Sequence, residues 1–217
     1  MGFKIKKIKI NKIIKYLILS DLIFWTGWGL ISPVFSIFIV DMIEGGSIFV
    51  VGVAVAIYSI LNSLLRIPIG MFLDHCKGEK DDFYFLFFGF LLLSFVPFGF
   101  ILSKYPWHIY ILQGIHGVGM AMAYSAWSAI FTKYIDKGKE ATEWGIDATA
   151  IGLSSGISGF IGSLAITKFG FKYVFICVGI LGLISAFLVL FFKNEIKKNR
   201  DHGMYFSFKD VIQKTEE

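Results

Sequence analysis

The chain is expected to fold as an all-α integral membrane protein, with six transmembrane helices forming two three-helix repeats. Three observations predict this. Hydrophobic residues make up 56% of the 217 residues and charged residues only 17%, against roughly 45–50% and about 25% in soluble domains. Six apolar stretches, at about 16–40, 48–73, 83–103, 107–132, 145–167 and 172–192, each reach the ~20 residues that a helix needs to cross a bilayer. The runs are also continuous. A stretch such as 83–103 lacks the alternating ten-residue pattern of a transmembrane β-strand.

Little chain is left outside the spans. A basic arm is expected over 1–15, a single six-helix domain over 16–192 and a cytoplasmic tail over 193–217. The net charge of +5 would suggest nucleic acid in a soluble protein, but its placement excludes that partner. Of 21 Lys and Arg, only Lys104, Lys168 and Lys172 fall in the first-to-second, third-to-fourth and fifth-to-sixth connections. The positive-inside rule then puts both termini on the cytoplasmic side of the cell membrane.

Each span has its own character. The first follows a basic arm, as a signal peptide would, but it is too long and no small-x-small cleavage site precedes Ala54. It reads as an uncleaved helix. The third and sixth spans are dominated by Phe, Leu, Ile and Val, whereas the fourth and fifth are rich in Gly, Ala and Ser. Small residues let helix backbones approach closely in a membrane, so Gly117, Gly119, Gly152, Gly156 and Gly159 are candidate packing positions. Polar groups at depth concentrate in spans one, two, four and five, which are expected inside, with spans three and six outside. Three helices followed by three of matching character suggest an internal repeat. In the tail, Ser207 and Asp210 have the spacing of a capping box before Val211 and Ile212. A short interfacial helix and a disordered tail are both open there. Cys76 falls in a cytoplasmic connection and Cys177 inside a span, so no disulfide is expected.

The segment after the second span reads RIPIGMFLDHCKGEK, from Arg66 to Lys80. It resembles the signature loop of the major facilitator superfamily, G-x-L-A-D-R-x-G-R-K. Gly70 and Asp74 stand at its two most characteristic positions, Lys77 and Lys80 supply the basic tract, and Arg66 and Pro68 resemble the usual lead-in. His75 replaces the arginine after the aspartate, and the next glycine is displaced to Gly78. Gln113-Gly114-Ile115-His116-Gly117-Val118-Gly119 is similar to R-x-x-Q-G-x-G of the family's fourth helix, with Gln113 in the arginine position. Lys168 to Phe175 resembles the F-G-W-R-x-x-F turn between the fifth and sixth helices. The resemblance implies the N-terminal six-helix half of a twelve-helix secondary transporter. It also implies a latch in which Asp74 faces a helix N-terminus; in this half the counterpart helix starts near Glu143 and Trp144.

Candidate cavity residues follow from polarity at depth. Gln113, His116, Met120 and Tyr124 recur at spacings of three and four, one face of the fourth span. Lipid cannot satisfy such a face, so it should line a cavity or bond to neighbouring helices. His116 reads either as a proton carrier or as a neutral histidine bonded to another helix. Asp21 and Asp147 lie a turn or two inside their spans; a shallow interfacial anchor is the preferred reading for Asp147. Arg66 is expected to pair, with one of them as a candidate partner. Trp25, Trp28 and Asn62 complete the set.

A different class also fits six spans. Gly156-Ile157-Ser158-Gly159 matches the G-x-S-G nucleophile motif of rhomboid proteases, but the sixth span carries no histidine to act as base. The protease reading is rejected. No catalytic residue, cofactor, metal site or nucleotide motif is expected. The expected function is movement of a small solute by alternating access, as a parallel homodimer or with a separate C-terminal half. The alternative is a truncated or split-gene fragment inactive by itself.

Overall fold

The computed structural model describes residues 10–75 and 80–201, with side chains described to 191. The described chain is helical almost throughout. Helix α1 (Lys12–Ile31) passes through a short 3-10 turn (Ser32–Val34) into α2 (Phe35–Met42), followed by α3 (Ile48–His75), α4 (Lys80–Leu102), α5 (Pro106–Tyr134), α6 (Glu140–Phe169) and α7 (Phe171–Asp201). Local sequence explains the punctuation. Asn11 accepts a hydrogen bond from the Ile13 N–H at 3.0 Å and so caps α1, while its own amide donates to the Tyr134 carbonyl, fixing α1 to the end of α5. Pro33 lacks an N–H and breaks the first span into two helices where one continuous helix was expected. Gly170, at φ +82°, turns the chain from α6 directly into α7.

Taken as spans, Lys12–Met42, Ile48–His75, Lys80–Leu102, Glu140–Phe169 and Phe171–Phe191 are each long and apolar enough to cross a membrane. Helix α5 also has the length, with 29 residues, and is rich in small and polar residues. Packing follows the repeat. α3 packs on α5 as α6 packs on α1; α4 packs on α5 as α7 packs on α1; and α4 and α7 pack on each other. Exchanging α1 with α5, α3 with α6 and α4 with α7 therefore reproduces the same neighbours, the signature of an internal two-fold repeat.

The expected division holds at the main cavity, which spans one, two, four and five line, but not in burial within the unit. The third and sixth spans, α4 and α7, are the best buried, each with 44% of its apolar window covered, whereas α3 and α6 have only 17% and 11%. α4 and α7 pack on each other and on α5 and α1, and so form the back of the six-helix unit. α3 and α6 pack on α5 and α1 and leave their other faces open.

Two close helix contacts set this arrangement. At Gly29 a side chain would collide with Ser158 Oγ and the Ser155 backbone, and at Gly162 with the Leu30 carbonyl, so α1 and α6 touch backbone to backbone. At Gly117 a Cβ would lie 2.8 Å from the Tyr58 carbonyl, and at Gly119 it would lie 3.0 Å from Leu93. Gly159 makes ordinary contact with Gly29 and Pro33. Gly152, Gly156 and Gly70 have nothing within 4 Å of a built Cβ, so these three are not packing positions among the described residues. Gly162→Ala should lower stability by about 1–3 kcal/mol through overpacking, whereas Gly152→Ala should be neutral or slightly stabilising. Equilibrium unfolding in mixed detergent micelles measures both.

Candidate functional site

The α5 stripe faces the open edge. Gln113, His116 and Met120 meet Trp25 and Trp28 of α1, Tyr58 of α3 and Ser155 of α6 around a cavity of about 670 Å³. That volume lies within the usual range for small-molecule sites, about 300–1,000 Å³. Phe24, Trp25, Trp28, Phe35, Tyr58 and Phe160 give the wall a large aromatic share. The His116 imidazole is sandwiched between two rings, Trp28 at 4.1 Å and 13° and Tyr58 at 4.5 Å and 34° between centroids. Its Nδ1 lies 3.2 Å from Gln113 Oε1. The polar partner of His116 is thus on its own helix, and neighbouring helices hold it by stacking.

A second chamber of about 190 Å³ shares Phe24, Trp25 and Met120 with the first. Its wall carries Asp21, Asp147, Tyr124, Trp127 and Trp144. Asp21 is 7% exposed and Asp147 4%. The shallow-anchor reading of Asp147 is therefore corrected: an interfacial anchor keeps its charge in water, and this carboxylate is buried. Its Oδ1 has no hydrogen-bond partner, nor has Trp127 Nε1.

Arg66 is held elsewhere than expected. Its Nε donates to Asn62 Oδ1 at 3.1 Å, one turn earlier on α3, and its guanidinium sits 4.0 Å over the Tyr124 ring. Neither Asp21 nor Asp147 is its partner among the described residues. The pairing explains why Asn62 is buried, at a position the sequence flagged only as polar.

The signature segment is largely helical rather than a loop. Arg66, Pro68, Gly70, Asp74 and His75 all belong to α3, and Lys80 begins α4. Lys77 and Cys76 lie outside the described residues, as does the tail beyond Asp201. Asp74 is exposed, and with Gly70, Asp82 and Lys133 it lines a groove at the end of the bundle where α1 begins. The His75 ring lies 3.2 Å from the Met71 carbonyl. The expected counterpart of Asp74, the N-terminus of α6, already carries Glu140 and Glu143; they accept hydrogen bonds from Gly138 and Asp136 N–H. No side chain caps the first N–H groups of α6, and its two acidic residues offset part of the positive end of the helix dipole.

Ser158 of the G-x-S-G sequence is buried in the α1–α6 contact, and its hydroxyl donates to the Ser155 carbonyl at 3.3 Å. The residues that sequence reasoning missed are Gly29, Gly162 and the aromatic wall of Tyr58, Trp127 and Trp144. Small-residue spacing on α1 and α6 was a usable signal for the glycines. The aromatics had none, because a single Trp or Tyr in a span reads equally as an interfacial anchor.

The family model described as Major Facilitator Superfamily matches residues 17–205. No curated protein matches the chain. If the Arg66–Tyr124 contact ties α3 to α5, the double-mutant cycle of Arg66→Met and Tyr124→Leu should show a coupling of about 0.5–2 kcal/mol in unfolding stability. Additive losses would mean the stack contributes nothing.

Proposed function

Because the chain belongs to the Major Facilitator Superfamily, we propose that it moves a small solute by alternating access, as one six-helix unit paired with a second copy of itself. It is a multi-pass membrane protein of a transporter family, and the reading adds the pairing and the cycle. The observation that carries it is the open side of the cavity. Val55 of α3 and Phe160 of α6 line it and are 50% and 69% exposed. The two helices that flank the opening are also the two least covered. A wall of Trp, His, Gln and Ser facing out from a membrane helix bundle would meet lipid, which cannot satisfy it. A second unit across the opening turns half a chamber into a whole one.

The unpartnered glycines fit that face. Gly70 on α3 and Gly152 and Gly156 on α6 leave room for another backbone to approach. A parallel pair about an axis along the membrane normal reproduces the relation between the two halves of this superfamily's twelve-helix members. The basic arm and the charged even-numbered connections support termini in the cytoplasm, and a parallel pair needs no inverted copy. Rocking of the two units about a midplane site then exposes the cavity to either side in turn.

Single-molecule bleaching of labelled protein in lipid should show two-step traces at low density. Gly152→Trp should weaken the pair by about tenfold or more without unfolding the monomer. Single-step traces at every density would overturn the homodimer and leave a separate second half as the partner.

A further inference from the structure

The smaller chamber carries a chemistry that solute movement alone does not require. Asp21 from α1 and Asp147 from α6 both line it, each more than nine-tenths buried. The space they share is only about 190 Å³. Among the described residues no Lys, Arg or His makes an ion pair with either of them. The nearest candidate by expectation, Arg66, is committed to Asn62 and Tyr124. Two like charges out of water with no counter-charge are costly, and a cation between them removes that cost.

Two further observations point to a ligand. Asp147 Oδ1 and Trp127 Nε1 are both fully covered, and both lack a hydrogen-bond partner while lining the same space. An unfilled acceptor and an unfilled donor at such depth are uncommon in folded proteins. Much of the remaining wall is aromatic, with Phe24, Trp25, Phe90, Trp127 and Trp144 beside a Tyr124 ring that Arg66 already covers. Indole and phenol faces attract cations, and walls of this kind recognise alkylated ammonium groups. A metal ion fits poorly. Among the described residues no group of three His, Cys, Asp or Glu converges anywhere, and hard divalent cations take six or more oxygens.

We propose that the Asp21–Asp147 chamber binds the ammonium head of an organic cation, whose apolar body lies in the adjoining aromatic cavity. The two spaces are continuous through Phe24, Trp25 and Met120, which line both. The volumes divide accordingly, about 190 Å³ for the head and about 670 Å³ for the body. The proposal names the solute class for the transport reading and rests on that reading for its biological meaning, but the binding site stands on geometry within one unit.

The test is equilibrium binding of radiolabelled benzyltrimethylammonium to the full chain in lipid nanodiscs. This probe keeps its charge at every pH. Saturable binding is expected, weakened about tenfold or more by Asp21→Asn and by Asp147→Asn. Neopentylbenzene, its uncharged carbon analogue, should compete at least tenfold less well on the unaltered protein, a comparison that depends on no variant folding. Absence of saturable binding, or equal competition by the neutral analogue, would overturn the cation site. The two readings fail separately: binding without uptake into proteoliposomes leaves the site and removes transport, whereas single units that bind no cation remove the site and leave pairing untouched.

Discussion

The close backbone contact of α1 with α6 is the constraint on which the cavity depends. Gly29 and Gly162 bring the two helices together where any side chain would strike Ser158, Ser155 or Leu30. That approach sets Trp28 and Trp25 beside Ser155 and Gly156, and it brings Asp21 and Asp147 to one chamber. In a bilayer such contacts draw on dispersion and shape, because apolar side chains gain nothing by leaving lipid for other apolar side chains. A glycine is therefore worth more here than a large hydrophobe. The α3–α5 contact through Gly117 is its counterpart under the internal repeat, and it carries Tyr58 to His116.

Around these two contacts the bundle is asymmetric in a useful way. The backing helices α4 and α7 take the heavy apolar packing, with Phe90, Leu93, Val178 and Ala186 buried between neighbours. Ser185 crosses from α7 to α1, donating to the Ser20 carbonyl at 2.8 Å. This leaves α3 and α6 free of structural duty on one face. Their exposed side carries open glycines and the rim of the cavity, so the part of the molecule that holds least of the fold is the part best placed to move or to meet a partner.

The fold was largely legible in the sequence. Span lengths, the continuous apolar runs and the Gly-Ala-Ser character of α5 and α6 depend on local composition, and the bilayer restricts the outcome to helices. Boundaries shifted by a few residues. Pro33 interrupted the first span, and Pro68 did not end the second. The stripe Gln113, His116 and Met120 was also legible, because a polar helix face in an apolar chain has to point at something other than lipid.

What the sequence could not decide was which side chains meet. Arg66 was expected beside an aspartate and lies on Asn62 and Tyr124; Asp147 was expected near the interface and lies buried opposite Asp21. Glycines that looked alike divide into contacts (Gly117, Gly119, Gly159) and open positions (Gly152, Gly156). Periodicity gives the face of a helix but neither its rotation against a neighbour nor its depth. Those are set by interdigitation of side chains from segments far apart in the chain, and only the packed bundle contains that information. The sequence by itself determined a six-span helical membrane protein with a polar interior stripe; tertiary packing decided that the stripe opens along one edge and that two carboxylates share one aromatic chamber.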